Sequence, residues 1–179
     1  MAKGYYKVET LQPGKSIGFL VKRCGVLMTQ LAERHFQATP VSFIQWNALM
    51  RLCTQTEHMS ATQLSRELGY DMGALTRVVD ELERRGLVRR ERSRRDRRAV
   101  EIAITAAGRR QAESAKRVVV ELLNELLEPY SNAEIATLIE LMQRMLLRLQ
   151  DIAAASAADP APGSRIPHPR RKSKSGAAA

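Results

Sequence analysis

The stretch "SATQLSRELGYDMGALTRVVDELERRGLVRRERSRRDRRAVEIAIT", residues 60–105, decides the fold because its hydrophobic period changes part-way along. As far as Gly86 the apolar residues recur at helical spacing, and from Leu87 onward they alternate with polar ones, as they do in a half-buried strand. The stretch therefore predicts helices followed by a β-hairpin, with the arginine-rich "SRRDR" at the hairpin tip.

Local signals divide the helical part in two. Ser60 and Gln63 have the spacing of a capping box, and Gly69 ends a helix of about two turns. Asp71 is suited to the N-cap of a second helix, which Gly86 ends. The predicted order is short helix, tight turn, helix and hairpin, which is the order of a winged helix-turn-helix.

Positive charge is concentrated in the hairpin. Nine arginines lie between Arg84 and Arg98, opposed only by Glu91 and Asp96, in a chain whose formal net charge is +10. Residues 155–179 form a second basic segment, and the rest of the chain is close to neutral. A localised patch of this kind indicates a polyanionic partner.

Composition limits the class of protein. With 179 residues, 44% hydrophobic and only 4% aromatic, the chain can bury an aliphatic core without disulfides or metals. Two cysteines, Cys24 and Cys53, do not make a disulfide framework. Neither an N-terminal signal region nor a long apolar run is present, so we expect a cytoplasmic, nucleoid-associated protein that does not enter the membrane. We expect no cofactor and no metal site.

The N-terminal third is predicted to be helical after a polar arm. Residues 1–15 form the arm, and 16–37 show a helical pattern. Thr39 is a candidate N-cap for the next helix, with Pro40 in its first turn. The helix-turn-helix and its wing then occupy about residues 39–105.

The C-terminal third is predicted to be two long helices and a tail. Thr105 caps a helix over 106–128, and the capping-box sequence "SNAE" at 131–134 opens another that runs to about Ala155. An apolar stripe close to a heptad seam follows this last helix. Residues 154–179, rich in Ala, Pro, Ser and basic side chains, are predicted to be a disordered basic tail.

The helix that begins after Asp71 can be divided into two faces by its phase. Leu75, Val78, Val79 and Leu82 fall together and must face the core. The other side carries small and basic residues, so its backbone can approach a groove floor, and Thr76 and Arg77 can bond to base edges. The predicted contact set on this helix is Asp71, Gly73, Ala74, Thr76, Arg77 and Arg84.

The hairpin is predicted to add DNA contacts beside those of the helix. Arg89, Arg90 and Arg92, on its first strand, can reach flanking phosphates, which position a protein without specifying sequence. Arginines at the tip are suited to a narrow, electronegative minor groove. Asp96 is predicted to brace the tip by pairing with Arg98.

Other functions are compatible with parts of this pattern. The arginines could form a solvated face, or bind RNA or an anionic membrane surface; the helix pair before the hairpin favours duplex DNA. A nonspecific architectural DNA-binding protein would also use a basic tail. An enzyme is disfavoured, since the chain has no phosphate-binding glycine loop and no nucleophile elbow.

Residues 64–108, with the skeleton "LERRGLVRR…DRR…ITAAG", resemble the MarR (multiple antibiotic resistance regulator) family, and the resemblance extends over 16–153. The resemblance implies a mainly α fold with a β-hairpin wing. It also implies a homodimer built from terminal helices 16–37 and 106–153 that binds a palindromic operator. Most members are repressors that a small ligand or cysteine oxidation releases from DNA.

The resemblance also implies roles for particular residues. The segment 71–77 lies where the family reads the major groove, and the wing tip holds Arg94, Arg95 and Arg97, with Asp96 and Arg98 as its Asp-x-Arg element. Small aromatic carboxylates are frequent effectors in the family. The candidates for such a ligand are Arg23, His35, Trp46, Asn47 and Arg51. The open alternative is a redox switch at Cys24 or Cys53.

Overall fold

The computed structural model of the chain describes residues 4–55, 58–93 and 100–158, with side chains as far as Ser156. The helices are α1 (Ile17–His35), α2 (Phe43–Thr54), α3 (Ala61–Leu68), α4 (Met72–Arg84), α5 (Ala106–Leu127) and α6 (Asn132–Ala158). The strands are β1 (Met59–Ser60), β2 (Val88–Arg92) and β3 (Val100–Ile104). The chain divides into two compact units, one ending at Glu128 and one beginning at Pro129. The predicted fold class, mainly α with a small β wing, is confirmed.

Side-chain caps fix the ends of the helices as the sequence predicts. The Ser60 hydroxyl accepts from the Gln63 backbone N–H while the Gln63 side chain accepts from that of Ser60, so the predicted capping box is present. Asp71 caps α4, and Gly69 adopts a left-handed φ of 68° at the end of α3. Thr105 caps α5 through the backbone N–H of Gly108.

The start of α2 differs from the prediction. The Thr39 hydroxyl does not cap a helix: it donates to the carbonyls of Phe36 and Val41. Ser42 is the N-cap, in a reciprocal capping box with Gln45, and the helix begins at Phe43. A complete capping box stabilises the later start, because it satisfies two otherwise free backbone donors.

The wing is part of a three-stranded antiparallel sheet of order β1-β3-β2. Residues Val88 and Arg92 of β2 pair with Ile104 and Val100 of β3. The two-residue strand β1 was not predicted, and it pairs with the other side of β3. The strand β2 therefore lies at the edge of the sheet, beside α4.

One core joins α2, α3, α4, the sheet and the first half of α5. Its largest fully buried side chains are Leu49, Leu64, Leu75, Leu82, Ile102, Val41, Val79 and Val88. Buried aliphatic side chains of this size each contribute about 1.5–3 kcal/mol relative to exposure. The same core orients α4 and the wing relative to each other.

A tight junction attaches α5 to the turn that follows α4. The Thr105 hydroxyl donates to the carbonyl of Gly86 at 2.8 Å, and its own backbone N–H donates to that of Leu87 at 3.1 Å. A Cβ on Gly108 would lie 2.1 Å from the Leu87 carbonyl oxygen, so only glycine fits there. The wing and α5 therefore share an anchor at Leu87.

The terminal helices expose apolar side chains. In α1 the exposed residues are Ile17, Phe19, Leu20, Val21, Val26, Leu27, Met28 and Leu31. In the second unit, the exposed apolar residues of α6 are Leu138, Ile139, Leu141, Met142, Leu146, Leu147, Leu149 and Ile152. In spite of this hydrophobic character, none of the helices in the described ranges is long and apolar enough to span a membrane.

Candidate nucleic-acid interface

The two faces of α4 are separated as its phase predicts. Leu75 and Leu82 have no exposed surface and Val79 has almost none. The opposite side presents Gly73, Thr76, Arg77, Asp80 and Arg84, all exposed. The helix thus offers one complete polar side, of which the first two turns carry mostly small residues.

Asp71 is bound to the helix that it begins. Its Oδ1 accepts from the backbone N–H of Gly73 at 2.8 Å and of Ala74 at 3.1 Å. A Cβ at Gly73 would approach the same oxygen to 3.1 Å, which is a crowded contact. Two N-terminal amides are therefore satisfied internally by a carboxylate, so Asp71 has a structural role whether or not it also meets DNA.

Thr76 and Arg77 differ in which of their hydrogen-bonding groups remain available to a partner. The Thr76 hydroxyl donates its proton to the Met72 carbonyl at 2.8 Å, which leaves its lone pairs and methyl group for a partner. Arg77 is exposed and forms no ion pair or hydrogen bond with any part of the chain that the structure describes. Of the predicted base-reading residues, Arg77 has the donors that remain free.

Arg84 is held by its own helix. Its guanidinium forms a bidentate pair with Glu81, in which Nε donates to Oε2 at 2.9 Å and Nη2 donates to Oε1 at 2.6 Å. Each partner stabilises the charged form of the other: the hydrogen bond lowers the pKa of Glu81 and raises the pKa of Arg84. The Arg84 side chain is largely exposed and that of Glu81 is partly exposed, so water screens the pair and a phosphate could replace it.

The three arginines of β2 have three different environments. Arg89 pairs with Glu91, which also lies 3.4 Å from His58 Nδ1. Arg90 turns toward α4, where carboxylates hold it. Arg92 is exposed and has no ion pair among the described residues. The predicted phosphate contacts are therefore not equivalent.

The wing tip lies outside the described residues. The predictions for this tip therefore stay predictions, including the pairing of Asp96 with Arg98. They concern Arg94, Arg95, Asp96, Arg97 and Arg98. The basic tail from Asp159 onward lies outside them too.

The predicted effector residues have different partners in the structure. Trp46 Nε1 donates to the Ala112 carbonyl at 3.0 Å, and its ring lies among those of Phe36 and Phe43, with centroids 5.8 and 6.2 Å away. The indole therefore attaches α2 to α5, with its only N–H used. This packing could be anticipated from its being the only tryptophan in a chain poor in aromatic residues.

Asn47 and Arg51 face the helix-turn-helix instead. The Asn47 amide donates to the Tyr70 hydroxyl at 3.0 Å, in the turn before α4, and Arg51 forms an ion pair with Glu67 of α3. The two side chains join α2 to the helix-turn-helix, Asn47 at the turn between α3 and α4 and Arg51 at α3 itself. The sequence could not reveal this, since the partner of Asn47 is 23 residues away and that of Arg51 is 16 residues away.

Arg23 and His35 lie on α1. Arg23 is exposed, and His35 Nε2 is 3.9 Å from Glu125 of α5. Near the end of α1 an open groove is lined by Glu33, Phe36, Gln37, Thr39, Pro40, Val41, Ser42 and Phe43. None of the five predicted effector residues lines this groove.

The two cysteines differ in environment. Cys24 is exposed on α1, and Cys53 is half-buried at the end of α2. Burial raises the pKa of the Cys53 thiol, and the nearby Arg109 only partly opposes this. A raised pKa disfavours the thiolate, which is the reactive form.

Comparison with known proteins agrees with this architecture. The sequence profile of the MarR family matches residues 39–99. The uncharacterized HTH-type transcriptional regulator YdgJ of Bacillus subtilis (strain 168) is 30% identical over 106 residues, which cover 59% of this chain. The match spans 65% of that relative's length.

Solved structures extend the likeness to the terminal helices. A MarR-family transcriptional regulator from Rhodococcus sp. RHA1 is 26% identical with a TM-score of 0.66, over 76% of this chain and 97% of the other. CouR from Rhodococcus jostii RHA1, solved with p-coumaroyl-CoA, is also 26% identical, with a TM-score of 0.62 over 74% and 92% of the two chains. The helix-turn-helix, the wing and the sequence match agree, and the chain is similar to regulators of the MarR family.

Proposed function

We propose that this protein is a homodimeric, sequence-specific DNA-binding regulator, most simply a repressor, that binds a palindromic operator. The observation that carries the proposal is the outer side of α4. It is exposed, its first turns carry small residues, and Arg77 projects from it with its donors unpaired among the described residues. An arginine so placed can bond to the O6 and N7 of guanine in the major groove, for about 1–3 kcal/mol of discrimination.

The homodimer is supported by the exposed apolar surface of the terminal helices. In α6 the eight exposed leucine, isoleucine and methionine residues named above are 44–62% exposed, and a continuous apolar surface of this kind marks a site of protein contact. A second copy of the chain would cover these surfaces with matching ones. Two lobes related by a two-fold axis then require two half-sites about one helical turn apart.

An effector of the aromatic carboxylate type is the second part of the proposal. Its support is the ligand of CouR, an aromatic acyl thioester, together with the cluster of Phe36, Phe43 and Trp46 between α1 and α2 in this chain. A ligand can release DNA only if it binds better to the arrangement of the lobes that does not fit DNA. Titration of p-coumarate and p-coumaroyl-CoA into the protein–DNA complex tests this, and no release at millimolar ligand would contradict it.

The test of DNA recognition uses a duplex recovered by selection from a random pool. Fluorescence anisotropy then measures Kd for this duplex and for variants with single base-pair changes. Arg77→Ala should weaken binding to the selected duplex by about 5- to 150-fold and reduce discrimination at one base pair of each half-site.

Arg144→Ala is the matched control, because Arg144 is an exposed arginine of α6 paired with Glu140 and lies far along the chain from α4. The control should keep the discrimination of the wild-type protein. If Arg77→Ala discriminates among the duplexes as the wild type does, α4 does not read the bases as proposed.

A further inference from the structure

Arg90 is tied to two carboxylates of the recognition helix. Its Nη2 lies 2.5 Å from Asp80 Oδ1, and its Nη1 bonds to Glu83 Oε2. The backbone N–H of the same residue donates to Glu83 Oε1 at 2.9 Å. Three hydrogen bonds thus join one residue of β2 to two residues of α4, and we refer to Asp80, Glu83 and Arg90 as the clamp.

The chain path explains how the clamp forms. Asp80 and Glu83 are three residues apart, so they share one side of α4. After the helix, Gly86 adopts a φ of 68° and turns the chain back, so that β2 runs beside the last turns of α4. Since β2 is an edge strand, the outward N–H of Arg90 would have no partner in the sheet, and the Glu83 carboxylate supplies one.

The electrostatics of the clamp are internally consistent. Two carboxylates one turn apart repel each other, and the guanidinium between them removes that cost. The Arg90 side chain is 34% exposed, so the ion pairs are less screened than those of Arg84. The hydrogen bond that Arg90 donates to Asp80 makes the largest contribution to raising the pKa of Arg90.

The location of the two acids is the unexpected feature. Asp80 lies on the exposed side of α4, the side that would approach negatively charged DNA, where an unneutralised carboxylate opposes binding. A carboxylate in this position is therefore better explained by a structural role, and the bonds that Asp80 and Glu83 accept from Arg90 of β2 supply one.

We propose that Arg90 is a positioning residue: with Asp80 and Glu83 it fixes the wing against the recognition helix, and it is not a phosphate ligand. This inference rests on the proposed function, because it concerns how α4 and the wing bind DNA together. It predicts that neutral replacements of the two acids weaken DNA binding, although removing negative charge alone would strengthen it.

The first experiment compares two neutralised variants by fluorescence anisotropy on the selected duplex at several salt concentrations. The double variant Asp80→Asn/Glu83→Gln should bind about tenfold more weakly than the wild type, with the same dependence of log Kd on log salt. Glu81→Gln is the control: it removes a carboxylate from the same helix, but among the described residues Glu81 bonds only to Arg84 of that helix. It should bind as tightly as the wild type or a few-fold more tightly.

Equal or tighter binding by the double variant overturns the proposal, since a purely electrostatic role of the acids predicts that sign. The variant Arg90→Lys gives a second test. Lysine keeps the charge for a phosphate but lacks the planar fork that bonds two carboxylates. The clamp predicts about a fivefold or greater loss of affinity without a change in salt slope, and wild-type affinity in Arg90→Lys would show a phosphate contact instead.

Hydrogen exchange in the free protein separates the clamp from DNA binding. Glu83→Ala removes the oxygen that accepts from the Arg90 amide and should accelerate its exchange by about tenfold or more relative to wild type, while Glu81→Ala leaves that amide unchanged. Unchanged exchange in Glu83→Ala contradicts the clamp. If the wild type prefers no duplex, the proposed function fails, and this measurement still decides whether the clamp exists.

Discussion

The winged-helix lobe and the terminal helices bury their apolar side chains very differently. Between α2 and the start of α5, every helix and strand contributes to one core, in which Leu49, Leu64 and Leu75 have no exposed surface. In α6, every side chain described is exposed except Ile135 and Met145, which are half-buried. The lobe can therefore be understood as a folded object by itself, whereas the terminal helices need a further surface to cover them.

The largest expected effect is in the lobe, at the junction of α5 with the turn after α4. Gly108→Ala places a methyl group 2.1 Å from the Leu87 carbonyl oxygen and 2.9 Å from Ile104 Cγ1, so the backbone must move. We expect a loss of about 3 kcal/mol of the free energy of unfolding. Denaturant titration followed by circular dichroism measures it.

The control for this change is Gly18→Ala in α1, where no heavy atom beyond the neighbouring residues and the helix's own backbone lies within 4 Å of the added Cβ. It should be neutral or stabilising by up to about 1 kcal/mol, as expected for alanine replacing glycine in a helix. If Gly108→Ala unfolds at the wild-type denaturant concentration, the lobe is not anchored at Leu87 in the way described.

The next effect is on the terminal helices. Met142→Asp combined with Leu149→Asp introduces two charges into the apolar stripe of α6, and an unpaired charge in an apolar interface is strongly unfavourable. We expect the dissociation constant of the dimer, measured by sedimentation equilibrium, to rise by at least about 100-fold while the lobe stays folded.

Gln143→Asp adds a charge beside the stripe and should leave the dimer intact. A double variant that still sediments as a dimer would place the subunit contact elsewhere, and the exposed side of α6 would then need another explanation.

A smaller effect concerns the redox alternative. Because burial raises the pKa of Cys53, less thiolate is present at neutral pH, and alkylation should be slow. In a Cys24→Ser variant, iodoacetamide should modify Cys53 several-fold more slowly in the native protein than in urea, with the rate rising toward high pH. Native alkylation at or above the rate in urea would instead support a redox switch at Cys53.

The smallest effect is at the start of α6. Hydrogen bonds from the Ser131 hydroxyl and backbone N–H lower the pKa of Glu134, so its contribution to stability is present above the ordinary glutamate pKa and is lost as the pH falls through the folded value. Ser131→Ala should raise the pKa of Glu134 in an NMR titration.

Thr137→Ala is the comparison, since that hydroxyl donates to Ala133 and not to Glu134. A Glu134 pKa that is the same in Ser131→Ala and in the wild type would mean that the capping box does not form in solution.

Local chemistry explains what could be predicted from the sequence. The caps at Ser60, Asp71 and Thr105 depend on residues at most three positions away, so their spacing was sufficient. The predicted start of α2 was wrong. Thr39 and Ser42 both have side chains that can cap a helix, but only Ser42 has a glutamine three residues later to complete a capping box. Strand β1 was missed because two residues carry no periodic signal.

Long side chains could not be assigned from the sequence, because their partners are set by the fold. Arg90 was predicted to contact phosphate, and the structure pairs it with Asp80, ten residues earlier. Asn47 and Arg51 were predicted to bind an effector, and they bond to Tyr70 and Glu67. The roles predicted for these residues in binding DNA or a ligand stay predictions.

Selection of duplexes from a fully random pool by the wild-type chain tests the central claim most directly. The account predicts one strongly enriched inverted repeat, with half-sites centred about ten base pairs apart and two chains bound per duplex. A pool that stays random after repeated rounds, or enrichment of a single half-site bound by one chain, would contradict it.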